Sequence, residues 1–298
     1  MITKEINIEP LQMKARIGSY VQLIKLRLTL LVVFSAAITF AYAAKGQLKW
    51  TELLLMILGG ILTTGSANSL NQIIEKDTDK LMHRTQNRPM PTYKLSTAEA
   101  LTFAIIIGVA GIFILTYYFN LITGILGLFS IISYAFIYTP LKLKSTFAVF
   151  VGAIAGAMPP LLGYVAYTNQ FGFEPGIMFA IQFIWQFPHF WAIAWVSDED
   201  YKRAGFKLLP SGGGQDLNTA IQIMIYTLFL LPLGLLPSYF GLVGLNSGIV
   251  ATVCGVLFLA QTFSLMRDCS RKSALKIMFG SFIYLPVVQI SYLLDKMP

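Results

Sequence analysis

The segment Asn71-Gln-Ile-Ile-Glu-Lys-Asp-Thr-Asp79 lies where a long apolar run, Leu53 to Ile74, gives way to charged residues. Asn71, Glu75 and Asp79 recur at every fourth position, so on a helix they form one stripe of oxygen ligands. Oxygen ligands suit a hard cation such as Mg²⁺, which keeps several waters and usually shares its coordination shell with substrate phosphates. The pattern therefore predicts a magnesium site at the end of a membrane helix.

The basic sequence His83-Arg-Thr-Gln-Asn-Arg-Pro89 follows directly. Its two arginines, Arg84 and Arg88, can bind the phosphates that share the metal ion. The alternative interpretation of the whole stretch is a membrane helix that ends in a solvated cluster of charges.

The composition indicates that the chain lies in a lipid bilayer. Of its 298 residues, 56% are hydrophobic and 12% are charged, and the mean hydropathy is +0.67, which excludes an ordinary soluble domain.

Nine apolar runs approach the roughly 20 residues that a helix needs to cross a bilayer. Prolines inside them predict kinks rather than breaks, because neighbouring groups in a bundle satisfy the freed backbone atoms. The predicted spans are Leu28 to Ala44, Leu53 to Ile74, Leu101 to Phe119, Leu121 to Tyr138, Phe147 to Tyr167, Ile177 to Val196, Ala220 to Phe240, Leu242 to Leu265 and Ile277 to Leu294. The predicted fold class is an all-α integral membrane protein.

The distribution of lysine and arginine predicts the orientation. These residues are concentrated in the N-terminal segment and in the loops after the second, fourth, sixth and eighth spans, whereas the other side carries Lys45, Lys49 and Lys296. The positive-inside rule then places the N-terminus in the cytoplasm and the C-terminus across the membrane. We expect residues 1–22 to form a cytoplasmic segment and residues 23–298 a single intramembrane domain. The net charge of +8 follows from this asymmetry and gives no reason to expect a nucleic acid partner.

Acidic residues cluster at the ends of two predicted spans. Six of the fourteen lie in two short runs, residues 75–79 and residues 198–200. Both runs follow the C-terminal end of a predicted helix, where the helix dipole favours a bound cation. Because both ends lie on the predicted cytoplasmic face, the two clusters have the ligands for two metal ions. Asp198 and Asp200 are the candidate ligands of the second cluster.

Several cations share this face. Lys142 and Lys144 follow the fourth span and Lys202 follows the sixth. Carboxylates, Mg²⁺ and cations at the mouth of a lipid-embedded bundle indicate a substrate with a diphosphate head and an apolar tail. Such a site can stabilise the departing diphosphate and shelter the allylic carbocation left behind. Aromatic residues of the sixth span, including Trp185, offer π faces to a cation, although packing or interfacial anchoring is the alternative explanation.

Several motifs resemble those of one family. Asn71-x3-Glu75-x3-Asp79 with the basic sequence after it resembles the first motif of the UbiA superfamily of intramembrane prenyltransferases. Three further stretches are similar to the branch of that superfamily that farnesylates haem B. They are Tyr138-Thr-Pro-Leu-Lys-Leu-Lys-Ser-Thr146, Gly152 to Tyr164 and Trp185-Gln-Phe-Pro-His-Phe-Trp191.

The resemblance implies nine transmembrane helices around a central cavity. It also implies transfer of a farnesyl group from farnesyl diphosphate to a vinyl group of haem B, with addition of water to give haem O and release of diphosphate. It implies Mg²⁺ as the cofactor. The expected location is the bacterial cytoplasmic membrane, with the active site near the cytoplasmic face by the positive-inside rule, and a haem A synthase or a terminal oxidase is a candidate partner. Together with the residues singled out above, the candidates for catalysis and metal binding are Asn71, Glu75, Asp79, Asp198 and Asp200, and those for substrate binding are Arg27, Arg84, Arg88, Lys142, Lys144, Trp185, His189 and Lys202.

Different roles are expected for the two histidines. His189 lies inside the sixth span, where a titratable group is costly and indicates function, here contact with haem or catalysis. The alternative is a buried histidine satisfied by a neighbouring helix. His83 lies in a basic loop, where a solvated role is expected.

Three other functions remain open at this point. A prenyltransferase for a quinone or another aromatic acceptor is the nearest one, although His189 stands where ubiquinone-type members have an aspartate. A transporter is a second, but transporters tend to place their sites on broken helices near the bilayer midplane, whereas these acidic clusters lie at helix ends. A non-catalytic assembly subunit is a third, and it would not need either cluster.

Overall fold

The structure is a computed structural model that describes residues 8–212 and 214–297. The regular elements of these residues are helical, apart from one isolated bridge between Val243 and Lys296. The helices are α1 Ile8–Leu23, α2 Leu26–Ala43, α3 Trp50–Ile74, α4 Lys76–Asp79, α5 Thr97–Tyr117, α6 Leu121–Ile132, α7 Thr139–Leu141, α8 Ala148–Thr168, α9 Phe173–Val196, α10 Asp198–Ala204, α11 Leu217–Tyr239, α12 Leu245–Asp268 and α13 Arg271–Leu294, with a π-helical segment, Ser133–Tyr138, between α6 and α7.

The prediction of nine membrane spans is confirmed. Among the described residues, nine helices are long and apolar enough to cross a membrane, with the π-helical segment joining α6 and α7 into a single span. Prolines lie inside α8, α9, α11 and α13, and none of them breaks its helix. The outward face of α5 shows why such a fold needs lipid, since Ile106 and Val109 are 61% and 66% exposed. The chain is an integral membrane protein.

Some helices begin earlier than their apolar runs. Asp216 and Ser270 precede the apolar parts of α11 and α13, and each side chain accepts a hydrogen bond from the backbone N–H three residues on. Ser96 and Asn120 cap α5 and α6 in the same way. Such N-caps satisfy backbone donors that have no partner within the helix. Polar caps therefore extend helices beyond the boundaries that hydropathy alone predicts.

Small residues bring the central helices close together. Helix α8 packs against α2 and α9, and a side chain at Gly163 would collide with the carbonyl oxygen of Ala36 in α2. Gly152 gives the same close approach to the ring of Tyr138. This packing leaves a central cavity between α2, α3, α8, α9 and α13, as the family resemblance predicted.

Candidate active site

The predicted stripe of Asn71, Glu75 and Asp79 is present, although α3 ends at Ile74. The backbone N–H of Glu75 donates to the carbonyl of Asn71 at 2.9 Å, and that of Asp79 donates to the carbonyl of Glu75 at 2.7 Å. These two bonds keep the spacing of one helical turn across the junction of α3 and α4. The three side chains are buried, so the stripe faces the protein interior.

Each member of the stripe is paired with a cation from a different part of the chain. Lys25 Nζ donates to Asn71 Oδ1 at 2.6 Å, and Lys142 forms an ion pair with Glu75. Arg88 Nη1 lies 3.1 and 2.9 Å from the two carboxylate oxygens of Asp79.

The resulting cluster has three cations and two carboxylates, because Asn71 is neutral. Burial, together with the cations Arg88 and Lys142, lowers the pKa of Lys25 to about 7. An excess of positive charge in a partly buried cluster is unfavourable. The cluster therefore favours the binding of an anion.

Two local structures hold the cluster in place. Lys25, the N-cap of α2, adopts the left-handed conformation with φ 50°, a sparsely populated region for a non-glycine residue that occurs preferentially at functional sites. Thr139 accepts a hydrogen bond from Asn71 Nδ2 at 3.0 Å and donates to the carbonyl of Tyr134 at 2.8 Å. It follows the π-helical segment, a distortion that is also common at functional sites. The segment thus delivers Thr139 and Lys142 to the stripe.

The second acidic cluster binds the loop that follows the first. Asp200 accepts hydrogen bonds from the backbone N–H groups of His83 at 3.0 Å and Arg84 at 3.2 Å. Arg84 also donates to the hydroxyl of Tyr201 at 3.2 Å, and Asp198 pairs with Lys202 at 2.6 Å. Helix α10 therefore holds the basic loop at His83 and Arg84.

The described part of the chain contains no group of three or more histidine, cysteine, aspartate or glutamate side chains close enough to share a metal ion. A metal-binding role for Asp198 and Asp200 therefore stays a prediction. The same holds for a second metal ion.

The remaining predicted cations lie at the surface. Arg27, Arg84, Lys144 and Lys202 are exposed, and Lys202 keeps 65% of its side chain exposed despite its pairing with Asp198. None of the four pairs with a described residue of the stripe. His83 is also exposed, as expected for a solvated residue.

The central cavity begins one turn from the stripe. Asn68, three residues before Asn71, lines it, and so do Trp185 and His189. The cavity has a volume of about 230 Å³, somewhat below the roughly 300–1000 Å³ of a typical small-molecule site. Its lining is mostly apolar. An anionic head in the cluster can therefore extend a long apolar tail into this space.

His189 and Trp185 belong to the cavity and not to the acidic cluster. Their rings stack with centroids 4.3 Å apart, and both are held by Ser281 of α13. Trp185 Nε1 donates to the Ser281 carbonyl at 3.0 Å, and His189 Nδ1 lies 2.8 Å from the Ser281 hydroxyl. His189 thus has a partner on a neighbouring helix and also faces the cavity.

Sequence reasoning did not assign Lys25 or Thr139 to the site. Lys25 is 46 positions from Asn71 along the chain, and Thr139 is 68 positions from it. The available signal was their position beside predicted residues, since Lys25 lies two residues before Arg27 and Thr139 three before Lys142. Their contacts depend on how α2 and α7 pack against α3.

Known proteins resemble the chain over most of its length. The UbiA prenyltransferase family matches residues 31–285. A protoheme IX farnesyltransferase of Cytophaga hutchinsonii is 51% identical over 284 residues, covering 95% of this chain and 99% of the relative. A protein of the same name from Flavobacterium psychrophilum is 43% identical, covering 95% of this chain and 96% of the relative.

Solved structures share the fold at low sequence identity. A digeranylgeranylglyceryl phosphate synthase superposes with a TM-score of 0.78 at 17% identity, covering 94% of this chain and 98% of the other. A UbiA homolog from Archaeoglobus fulgidus, bound to GPP and Mg²⁺, superposes with a TM-score of 0.63 at 16% identity, covering 92% and 99%. The match over most of the sequence, with relatives of full length at 51% and 43% identity, shows that the chain belongs to the UbiA prenyltransferase family.

Proposed function

We propose that this membrane enzyme transfers the farnesyl group of farnesyl diphosphate to a vinyl group of haem B, with addition of water and release of diphosphate. Relatives at 51% and 43% identity are named protoheme IX farnesyltransferases. The observation that carries the proposal is the cation-rich cluster around Asn71, Glu75 and Asp79, one helical turn from an apolar cavity that begins at Asn68.

The donor atoms of the stripe fit a divalent metal ion. An amide oxygen and two carboxylates are hard oxygen ligands, which Mg²⁺ prefers in proteins, and a UbiA homolog of the same fold is bound to Mg²⁺ with GPP. Asn71, Glu75 and Asp79 would hold the ion. When bound, it would neutralise charge on the diphosphate leaving group.

The cations of the cluster have a direct role in ionisation. Lys25, Arg88 and Lys142 bind the diphosphate in exchange for their present partners, and they stabilise the charge that develops on it as the bond to the farnesyl carbon breaks. Arg27, Arg84, Lys144 and Lys202, at the rim, attract the anion to the site.

The cavity protects the carbocation from bulk water. Its aromatic lining, including Trp185 and Phe190, offers π faces to the allylic cation. Haem B would occupy the part beside α9 and α13, with one vinyl group against the farnesyl carbon. His189 belongs to this part of the cavity.

We further propose that the active site lies near the cytoplasmic face of a bacterial membrane, with a cytoplasmic N-terminal segment and a single domain from residue 23 onward. This orientation follows from the positive-inside rule. A partnership with a haem A synthase or a terminal oxidase also stays a prediction.

The reaction can be tested with the purified protein. Incubation with haem B, farnesyl diphosphate and Mg²⁺ should yield a more hydrophobic haem that contains the farnesyl chain, detected by chromatography and mass spectrometry. Asp79→Asn should abolish it, because this change removes one charge from the stripe without changing the size of the side chain. Asp77→Asn is the matched control, since Asp77 is 73% exposed and pairs with Lys80.

Each result has a clear meaning. Absence of product from folded wild-type protein would contradict the proposal, and assays with a hydroxybenzoate or a naphthoate would then identify another aromatic acceptor. Equal loss of product in both variants would show that Asp79 has no special role in the site.

A further inference from the structure

Helix α9 presents three polar side chains to the cavity. Gln182, Gln186 and His189 follow each other at intervals of four and three residues, so they share one face of the helix. All three are more than nine-tenths buried, and all three line the cavity. Polar groups inside a membrane protein are costly unless they have hydrogen-bond partners. The partners of each side chain therefore indicate its role.

Gln182 is satisfied by the protein. Its Nε2 donates to the carbonyl of Gly156 at 2.7 Å. Its Oε1 accepts from Gln289 Nε2 at 2.9 Å and from the hydroxyl of Ser35 at 2.7 Å. This closed network ties α2, α8, α9 and α13 together at the cavity wall. Gln182 has a structural role.

Gln186 is different, because its amide forms no side-chain hydrogen bond with any described residue. The amide lies against Gly156, where a Cβ atom would collide with it. The absence of a side chain at Gly156 thus leaves space for the Gln186 amide, which lies in an apolar cavity without a hydrogen-bond partner among the described residues. An amide with free donors and a free acceptor suits a small polar ligand, and water is the ligand that can satisfy both kinds of group.

Ser281 of α13 allows His189 to hold a free lone pair. The Ser281 hydroxyl lies 2.6 Å from the carbonyl of Met278 and 2.8 Å from His189 Nδ1. When the hydroxyl donates its single proton to Met278, it accepts from Nδ1–H, and Nε2 of this tautomer holds the free lone pair. His189 lies three residues from Gln186 on the same helix face, and both side chains line the cavity, so this nitrogen can take a proton from a water held by Gln186.

We propose that Gln186 and His189 form the binding site of the water that ends the reaction, an inference that rests on the proposed farnesyl transfer to haem B. The vinyl π electrons form a bond from the terminal vinyl carbon to C1 of the farnesyl group, as the bond from C1 to the diphosphate oxygen breaks. The positive charge then lies on the vinyl carbon attached to the porphyrin. The water held by Gln186 forms a carbon–oxygen bond to this carbon, and its surplus proton passes to His189 Nε2.

The competing outcome is loss of a proton from the carbon chain. That step also discharges the cation, but it leaves an alkene and a product lighter by one water. The ratio of hydroxylated to dehydrated haem therefore reports the water site separately from ionisation. In wild-type protein, ¹⁸O-labelled water should place the label in the product.

The first test replaces the amide side chain of Gln186. Gln186→Leu should keep diphosphate release and haem binding, while the main product changes from the hydroxylated to the dehydrated haem. Gly156→Ala is a second variant that moves the amide by contact with its flexible end, and it should change the ratio in the same direction. Gln182→Met is the matched control on the same helix face. It should lower the melting temperature and leave the product ratio unchanged.

The second test concerns the base. His189→Ala should lower the rate of hydroxylation roughly 10²-fold, within the range for loss of a general base, with the Soret spectrum of bound haem unchanged. A changed Soret spectrum with loss of haem affinity would instead assign His189 to the iron and overturn its role as the base. A wild-type product ratio in both Gln186→Leu and Gly156→Ala would overturn the water site. Failure of wild-type protein to farnesylate haem at all would contradict the proposed function itself and is distinguishable from these results.

Discussion

Arg88 Nη1 donates to both carboxylate oxygens of Asp79, at 3.1 and 2.9 Å. The side chain of Asp79 has no exposed surface. One guanidinium nitrogen therefore neutralises a fully buried carboxylate at the end of the stripe. The same arginine is needed for the diphosphate in the proposed reaction. The pair thus links the stability of the protein to the affinity of the site for the substrate.

A double-mutant cycle on this pair should show the link. Arg88→Met leaves Asp79 buried and unpaired, which should lower the free energy of unfolding by about 3 kcal/mol. Asp79→Asn in the same background removes the unpaired charge and should restore most of that loss. Thermal unfolding in detergent, followed by circular dichroism, measures both. Equal stability of Arg88→Met and wild type would show that the pair contributes nothing.

Lys25 should be essential for the diphosphate and Lys144 should not. Lys25→Met removes a partly buried cation from the cluster, so kcat/KM for farnesyl diphosphate should fall roughly 10²–10³-fold, the range for loss of one preorganised group that stabilises developing charge. Lys144→Met is the matched control, because Lys144 is exposed on the neighbouring loop, and its effect should be about tenfold or less. Steady-state kinetics at fixed haem concentration compare the two. Similar losses in both variants would argue for a diffuse electrostatic effect.

Removal of divalent metal should stop the reaction and leave the fold intact. EDTA should abolish diphosphate release, and added Mg²⁺ should restore it, because the oxygen ligands of the stripe cannot neutralise the leaving group by themselves. Circular dichroism should be unchanged, since Lys25, Lys142 and Arg88 already pair with the stripe. Full turnover in EDTA would remove the metal from the proposal.

The orientation can be measured with single cysteines. In a Cys254→Ser/Cys269→Ser background, Lys94→Cys lies in the loop between α4 and α5, and Gly172→Cys lies in open space between α8 and α9. A membrane-impermeant maleimide should label Gly172→Cys in right-side-out vesicles and Lys94→Cys only in inverted ones. The reverse pattern would place the cluster on the other face of the membrane.

Hydropathy alone determined the nine spans, because each helix that crosses a bilayer needs an apolar run of sufficient length. Local spacing determined the stripe of Asn71, Glu75 and Asp79, because residues four apart share a helix face. The polar caps Asp216 and Ser270 moved the starts of two helices without changing the count.

Only the tertiary structure decided which groups meet. Lys25, in a left-handed backbone conformation, donates to Asn71. Asp200 accepts from backbone N–H groups 116 and 117 positions away. The amide of Gln186 lies against Gly156 without a hydrogen-bond partner among the described residues, whereas that of Gln182 is hydrogen-bonded. These contacts join residues far apart in the chain. They depend on the packing of whole helices, a property that no local pattern of residues encodes.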